Sequence, residues 1–450
     1  MKRPFLLSYV AGFRAFALVA AGSGLIAATY GLVRLAYGLF LPDIQADLGF
    51  DAAVAGFISS GASVGYCVGA VAGMFVAARH PRLLVVTAGI AGTVGPAGMA
   101  ASTNVGLFAV FAIVGAVAAG VASPGLIQLV TRAVRRESRD SSQAIVNAGT
   151  GPGLVAAGVL ALVLLPDWRL AWALAAVFSL AVAAAVLLLD RRHGSGDDGV
   201  EDDDGSGDDG DVNRDDGAQD DDSRMPQPAV TTTWFAAHAS IIVAALLMGA
   251  GSAAAWNYGR TLMVDAGAGD SMSAVAWIAL GFGGVAVIAT ARVMAARTPR
   301  AAWTITTLTI TAATAALALF PGSTAVALVA FALFGWGYIA GSGALIAWTS
   351  RIDETRAAAG TSLMFVVLVL GQAVGASALG LVITAAGFTV AFLVAAALAL
   401  AAAILPGRRR TRGMPDTPEA QKRTARNVER RRATASPTPA VAPTASRARG

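Results

Sequence analysis

The position of its cations constrains this chain more than any other feature. When its apolar stretches are threaded as twelve membrane helices, only three of its 33 Lys and Arg residues lie away from one common side. Cationic side chains gather in cytoplasmic loops and are costly within lipid. The pattern therefore predicts an all-α polytopic membrane protein and gives it an orientation. It also singles out Arg34 and Arg260, which sit inside apolar stretches. The third exception, Arg169, falls in a loop of the opposite side.

Composition supports a membrane setting. The 450 residues are 56% hydrophobic and 14% charged, more apolar surface than a soluble domain can hide. A span needs roughly 20 apolar residues. Such stretches run near 15–41, 53–77, 83–101, 105–131, 142–166, 168–189, 234–264, 272–296, 301–320, 324–349, 358–385 and 387–405. Loops after the even-numbered stretches carry Arg79 and Arg82, Arg132 to Arg139, Arg191 to Arg224, Arg292 to Arg300, and Arg351 with Arg356. Lys2, Arg3 and Arg14 precede the first helix, and Arg408 to Arg412 follow the last. Both termini are expected in the cytoplasm of a cell bearing this protein in its inner membrane. Helix one is too long for a cleaved signal segment, and its loss would spoil the alternation.

The formal charge of +5 does not point to nucleic acid, because the charge is segregated. Residues 190–224 hold 15 acidic and 4 basic residues, while 406–450 hold 12 basic and 3 acidic. The first segment reads as a solvated, disordered acidic linker without ordered calcium-loop spacing. The second reads as a basic disordered tail able to fix topology or meet anionic lipid. One cysteine, Cys67, excludes an intramolecular disulfide and a cysteine metal cluster. No cofactor or metal site is expected.

The chain repeats itself. Ser123, Leu126, Ile127, Thr131 and Arg132 recur as Ser342, Leu345, Ile346, Ser350 and Arg351. Gly149, Gly153 and Gly158 recur as Gly371, Gly375 and Gly380, and Arg34 as Arg260. Two parallel six-helix repeats follow, because six is even and both enter from the same side. The expected divisions are 1–190, a linker at 191–233, 234–405 and a tail at 406–450.

This organisation resembles the major facilitator superfamily. The end of helix one, Arg34-Leu-Ala-Tyr37-Gly38-Leu-Phe-Leu41-Pro42 with Asp47-Leu48-Gly49 beyond it, is similar to a bacterial subgroup of efflux and small-solute carriers. The resemblance implies a permease working by alternating access, with helices one, four, seven and ten around a cavity. One departure stands out. After Gly73 comes Arg79-His80-Pro81-Arg82, so the family's charge relay behind the inward gate lacks its acidic residue.

Tyr30, Arg34 and Tyr37 share one helix face by i, i+4, i+7 spacing. Arg260 has Trp256 and Asn257 at i−4 and i−3. Either arginine alone fits a side chain reaching back to the headgroups. Their equivalent places favour a shared cavity, and guanidinium forks suit carboxylate or phosphate. The resemblance adds the superfamily's organophosphate antiporters, where arginines of helices one and seven face one anion. The expected substrate is a small organic anion or zwitterion. Gln128, Asn147, Trp336 and Gln372 are candidate cavity residues, or else interhelical hydrogen-bonding groups. No Asp or Glu falls within a span, which argues against a multidrug antiporter moving cations against protons. A coupling ion or counter-substrate remains compatible, with Asp43 or Asp265 as proton carrier. Gly149, Gly151, Pro152 and Gly153 resemble an antiporter hinge motif, although helix packing accounts for them as well. A multidrug or amphipath exporter is the transport alternative, and a membrane sensor or enzyme the alternative from another class.

Overall fold

The computed structural model describes residues 3–194 and 231–405. Most of the expected linker and the expected tail, at 195–230 and 406–450, lie outside the described residues. Helices α1 (Arg3–Ile26), α2 (Tyr37–Leu48), α3 (Ala52–Val76), α4 (Pro81–Ala101) and α5 (Val105–Ala133) come first. Then follow α6 (Arg139–Ala148), α7 (Thr150–Leu164), α8 (Trp168–Gly194), α9 (Thr232–Ala253) and α10 (Gly259–Asp265). The chain ends in α11 (Asp270–Ala295), α12 (Pro299–Leu319), α13 (Thr324–Ile352) and α14 (Ala357–Ile404). Among the described residues eleven helical spans are long and apolar enough to cross a membrane. The last, α14, is broken at Gly387, where φ is 83°, so the chain makes the twelve crossings its hydropathy predicts.

Two spans are interrupted in the same way. Between α1 and α2 the backbone is π-helical over Ala27–Leu35, and between α9 and α10 over Ala254–Tyr258. The equivalent spans of the two sequence repeats thus carry equivalent irregularities. Such segments free backbone groups from the regular ladder and are common at functional sites.

Glycine pairs the spans. Gly149, between α6 and α7, and Gly153 of α7 face Ser23 and Ala27, and Gly371 and Gly375 face Leu246 and Ala250. The same close approach therefore recurs at both sets of repeated glycines. Pro152 lacks the N–H that would continue the ladder from α6 into α7, and Gly149 takes up the junction. Gly151 meets the side chain of Val285, and Gly73 meets Pro124.

One end of the bundle collects Arg79, Arg132, Arg292 and Arg351, and the other Asp47, Asp51, Asp167, Asp265 and Asp270. At this arginine-poor end the first six and last six spans are tightly joined. Tyr258 donates its hydroxyl to the carbonyls of Ala52 and Ala376, at 3.1 and 2.7 Å. Gly38 abuts the carbonyl of Trp256, leaving no room for a Cβ. A Gly38→Ala substitution should cost about 1–3 kcal/mol through overpacking and lower the thermal unfolding temperature. Gly343, with open space around it, is the control. Alanine there should be neutral or slightly stabilising, because glycine is the poorer helix former.

Candidate functional site

Between the spans, next to this closed end, lies a cavity of about 50 Å³. Its polar lining comes from Arg34, Tyr37, Ser59, Ser63, Asn257 and Gln372, with Trp256 beside them. Pockets that hold small ligands measure roughly 300–1,000 Å³, so this one must widen before it takes more than water.

Arg34 is half-buried at the end of the first π segment. Its Nη2 donates to Oε1 of Gln372 at 3.1 Å, and its guanidinium carbon stands 4.4 Å from the centre of the Tyr66 ring. Among the described residues it makes no ion pair. The network continues on both sides. Tyr66 and Tyr30 share a hydroxyl hydrogen bond of 3.1 Å, and Gln372 donates through Nε2 to the Tyr338 hydroxyl at 3.0 Å. Ser59 donates to Oδ1 of Asn257 at 2.6 Å, while Asn257 donates to the carbonyl of Ala253 at 2.9 Å. Five spans thus meet around one guanidinium, all through neutral partners.

Arg260 is placed differently from the shared cavity its spacing suggested. It is fully buried, and it does not line the cavity. Its Nε donates to Ser273 Oγ at 2.8 Å, Nη2 to Asp270 Oδ1 at 2.8 Å, and Nη1 to the Leu39 carbonyl at 2.8 Å. Nη1 also pairs with Asp43. Helix length is the physical reason. Arg34 stands 14 residues before the end of α2, Arg260 only five before the end of α10. At about 1.5 Å per residue, the first arginine lies deep and the second lies near the turn. That turn needs Gly267 at φ 89° and folds α11 back, bringing Asp270 to the arginine.

The remaining expected residues separate as well. Tyr37 contributes to the cavity wall, yet its hydroxyl is committed to the Ala55 carbonyl at 3.0 Å. Trp256 sits edge-on to Trp277, Phe334 and Tyr338. Trp336 donates its indole N–H to Thr290 at 2.9 Å, a bond between α13 and α11. Asn147 and Arg79 are exposed, Gln128 is half-buried, and none of the three lines the cavity. The sequence reading overlooked Tyr66, Ser59 and Ser63. A tyrosine within the Gly- and Ala-rich α3 was the available signal.

The sequence profile of the Major Facilitator Superfamily matches residues 23–376. The chain belongs to this superfamily. It is a membrane transporter and not an enzyme. No curated protein matches it in sequence. Solved superfamily structures similar to it include the nucleoside transporter NupG, at 13% identity and a TM-score of 0.66, covering 88% of this chain and all of that one. A D-xylose–proton symporter gives 12% identity and 0.65, covering 88% and 97% of the two chains. An inward-facing, occupied bacterial homolog of the human lysosomal transporter Spinster gives 14% and 0.62, covering 92% and 100%. At these identities the likeness is one of fold.

Proposed function

We propose that this transporter carries a small solute with a carboxylate or phosphate group, gripped by Arg34, by alternating access between its two six-helix halves. The distribution of arginine among the loops supports an orientation in a cell membrane in which the arginine-rich end and both termini face the cytoplasm and the closed end faces outward. One observation carries the substrate reading: a half-buried guanidinium deep in the span with no carboxylate beside it. An unpaired charge in such surroundings is costly, and an anionic solute would relieve the cost. The Gln372 amide oxygen holds the place of that anion on Nη2. Binding would then exchange the Gln372 bond for a charged one and loosen a tie between α14 and the first π segment. Arg260, committed to protein partners, would hold the outer gate.

A second reading has support in the same network. Arg34 is satisfied by an amide and a ring, and Ser59, Ser63 and Asn257 are neutral. A neutral, hydroxyl-rich solute also fits such a lining, and the similar structures include a nucleoside transporter and a sugar symporter.

A thermal-shift screen of purified protein against small carboxylates, phosphates, sugars and nucleosides distinguishes the readings, since ligands that bind the native state stabilise it. Anions should raise the unfolding temperature of the wild type and not of Arg34→Gln. Equal stabilisation of both proteins by neutral solutes would overturn the anion reading. Gln372→Ala should bind the same anion several-fold more tightly, because a hydrogen bond competing for Nη2, worth about 1 kcal/mol, is gone.

A further inference from the structure

The cavity beside Arg34 holds hydrogen-bonding groups that the protein itself leaves unengaged. Gln372 takes one of the five N–H groups on the Arg34 guanidinium. Ser63 of α3 lines the cavity at 6% exposure, and its hydroxyl has no partner among the described residues. Trp256, 4% exposed, lines it from the second π segment. Its indole N–H is buried and also lacks a partner among the described residues. A buried donor left unpaired costs its desolvation, so native structures hold few of them. Trp172 Nε1 and Thr314 Oγ1 are among the other orphaned atoms, yet of all these residues only Trp256 lines the cavity.

The neighbouring polar groups are already engaged. Tyr37 donates to the Ala55 carbonyl, Ser59 to Asn257, and Asn257 to the Ala253 carbonyl. Gln372 uses both ends of its amide. Among the described residues no Asp or Glu lines the cavity. What remains for a solute is one fixed cation, one indole donor and one hydroxyl, with no anion.

We infer that the solute held by Arg34 carries a second polar group, an oxo or hydroxyl oxygen, recognised by Trp256 and Ser63. The chemical class is an oxo- or hydroxycarboxylate and not an amino acid. An ammonium group would lose its water without meeting a counter-charge, and it would share the cavity with the Arg34 cation. An oxo oxygen accepts from the indole N–H, and a hydroxyl can in addition exchange a hydrogen bond with Ser63. Edge-on contacts with Trp277, Phe334 and Tyr338 hold the indole in place before the solute arrives. Ser63 belongs to the first six spans and Trp256 to the last six, so the second oxygen is met from both halves of the widened cavity.

Isothermal titration of the purified full-length protein with a matched series tests the inference. Propionate, lactate, pyruvate, glycerate, alanine and β-alanine share a three-carbon carboxylate and differ in the second group. At least one oxygenated member should bind about three- to tenfold more tightly than propionate, the worth of one neutral hydrogen bond. Both amino acids should bind more weakly than propionate. Trp256→Phe keeps the ring contacts and removes the donor, while Ser63→Ala removes only the hydroxyl. Each should bring the affinity ratio of the oxygenated member to propionate closer to one. The ratio is taken within one protein, so a general loss of stability does not imitate the effect. Equal binding of propionate and every oxygenated member, tighter binding of an amino acid, or a ratio unmoved in both variants would each overturn the inference. The wild-type series alone can refute it if a variant fails to fold. The inference rests on the Arg34 reading, and the series separates the two. Propionate bound by the wild type and not by Arg34→Gln, with no gain from an added oxygen, sinks this inference and leaves that reading standing.

Discussion

Arg34→Gln is expected to weaken binding of the proposed anionic solute by roughly 30- to 150-fold, and to reduce its uptake into proteoliposomes in proportion. The magnitude follows from the loss of a hydrogen bond to a charged group, about 2–3 kcal/mol. The direction follows from the partners around the guanidinium. Gln372, Tyr66, Tyr338 and Tyr30 are all neutral, so no neighbouring cation can take over the charge. Glutamine preserves a donor but removes the fork. Arg34→Lys separates charge from geometry: it should recover part of the binding, because the charge returns without the paired donors. The fold itself should tolerate Arg34→Gln, since the substitution removes an unpaired charge. Isothermal binding and proteoliposome uptake check both halves of this expectation, and unchanged affinity in Arg34→Gln would exclude the arginine from the solute site.

Arg260→Gln is expected to act in the opposite manner, costing stability before it affects any solute. Removing one partner of a buried ion pair costs about 3–5 kcal/mol, because the other is left uncompensated. Here Arg260 touches Leu39 and Asp43 of α2 and Asp270 and Ser273 of α11. The loss would be smaller at Asp270, which water already reaches, and greater at Asp43. A lower thermal unfolding temperature should accompany greater accessibility of the arginine-poor end. Cysteines introduced at Ala46 and Ala266, both exposed at that end, can report their separation in a background lacking Cys67. A wild-type unfolding temperature together with an unchanged separation in Arg260→Gln would remove Arg260 from the gate.

The contrast between these two arginines shows where sequence reasoning reached and where it stopped. They occupy equivalent places in the repeats, and both lie in or just after a π-helical interruption. One-dimensional spacing therefore assigned them one role. The difference comes from α2 running on to Leu48 while α10 ends at Asp265, and from a glycine turn that returns Asp270 to Arg260. Tyr66 and Gln372 reach Arg34 from helices remote in the chain, so no local pattern announces them. Gln372 was visible as a rare polar residue in an apolar span, but its pairing with Arg34 was not.

The sequence by itself determined the class, the number of crossings, the internal repeat and the rarity of cations away from one side. These follow from the cost of placing charge and unpaired backbone in hydrocarbon, which is written residue by residue along the chain. Only the tertiary structure decided which arginine is left without a counter-ion among the described residues and which is tied to the carboxylates of Asp43 and Asp270. That depends on partners separated by up to 338 residues, brought together by close glycine-lined packing of helices whose rotation no periodicity in an almost wholly apolar span can specify.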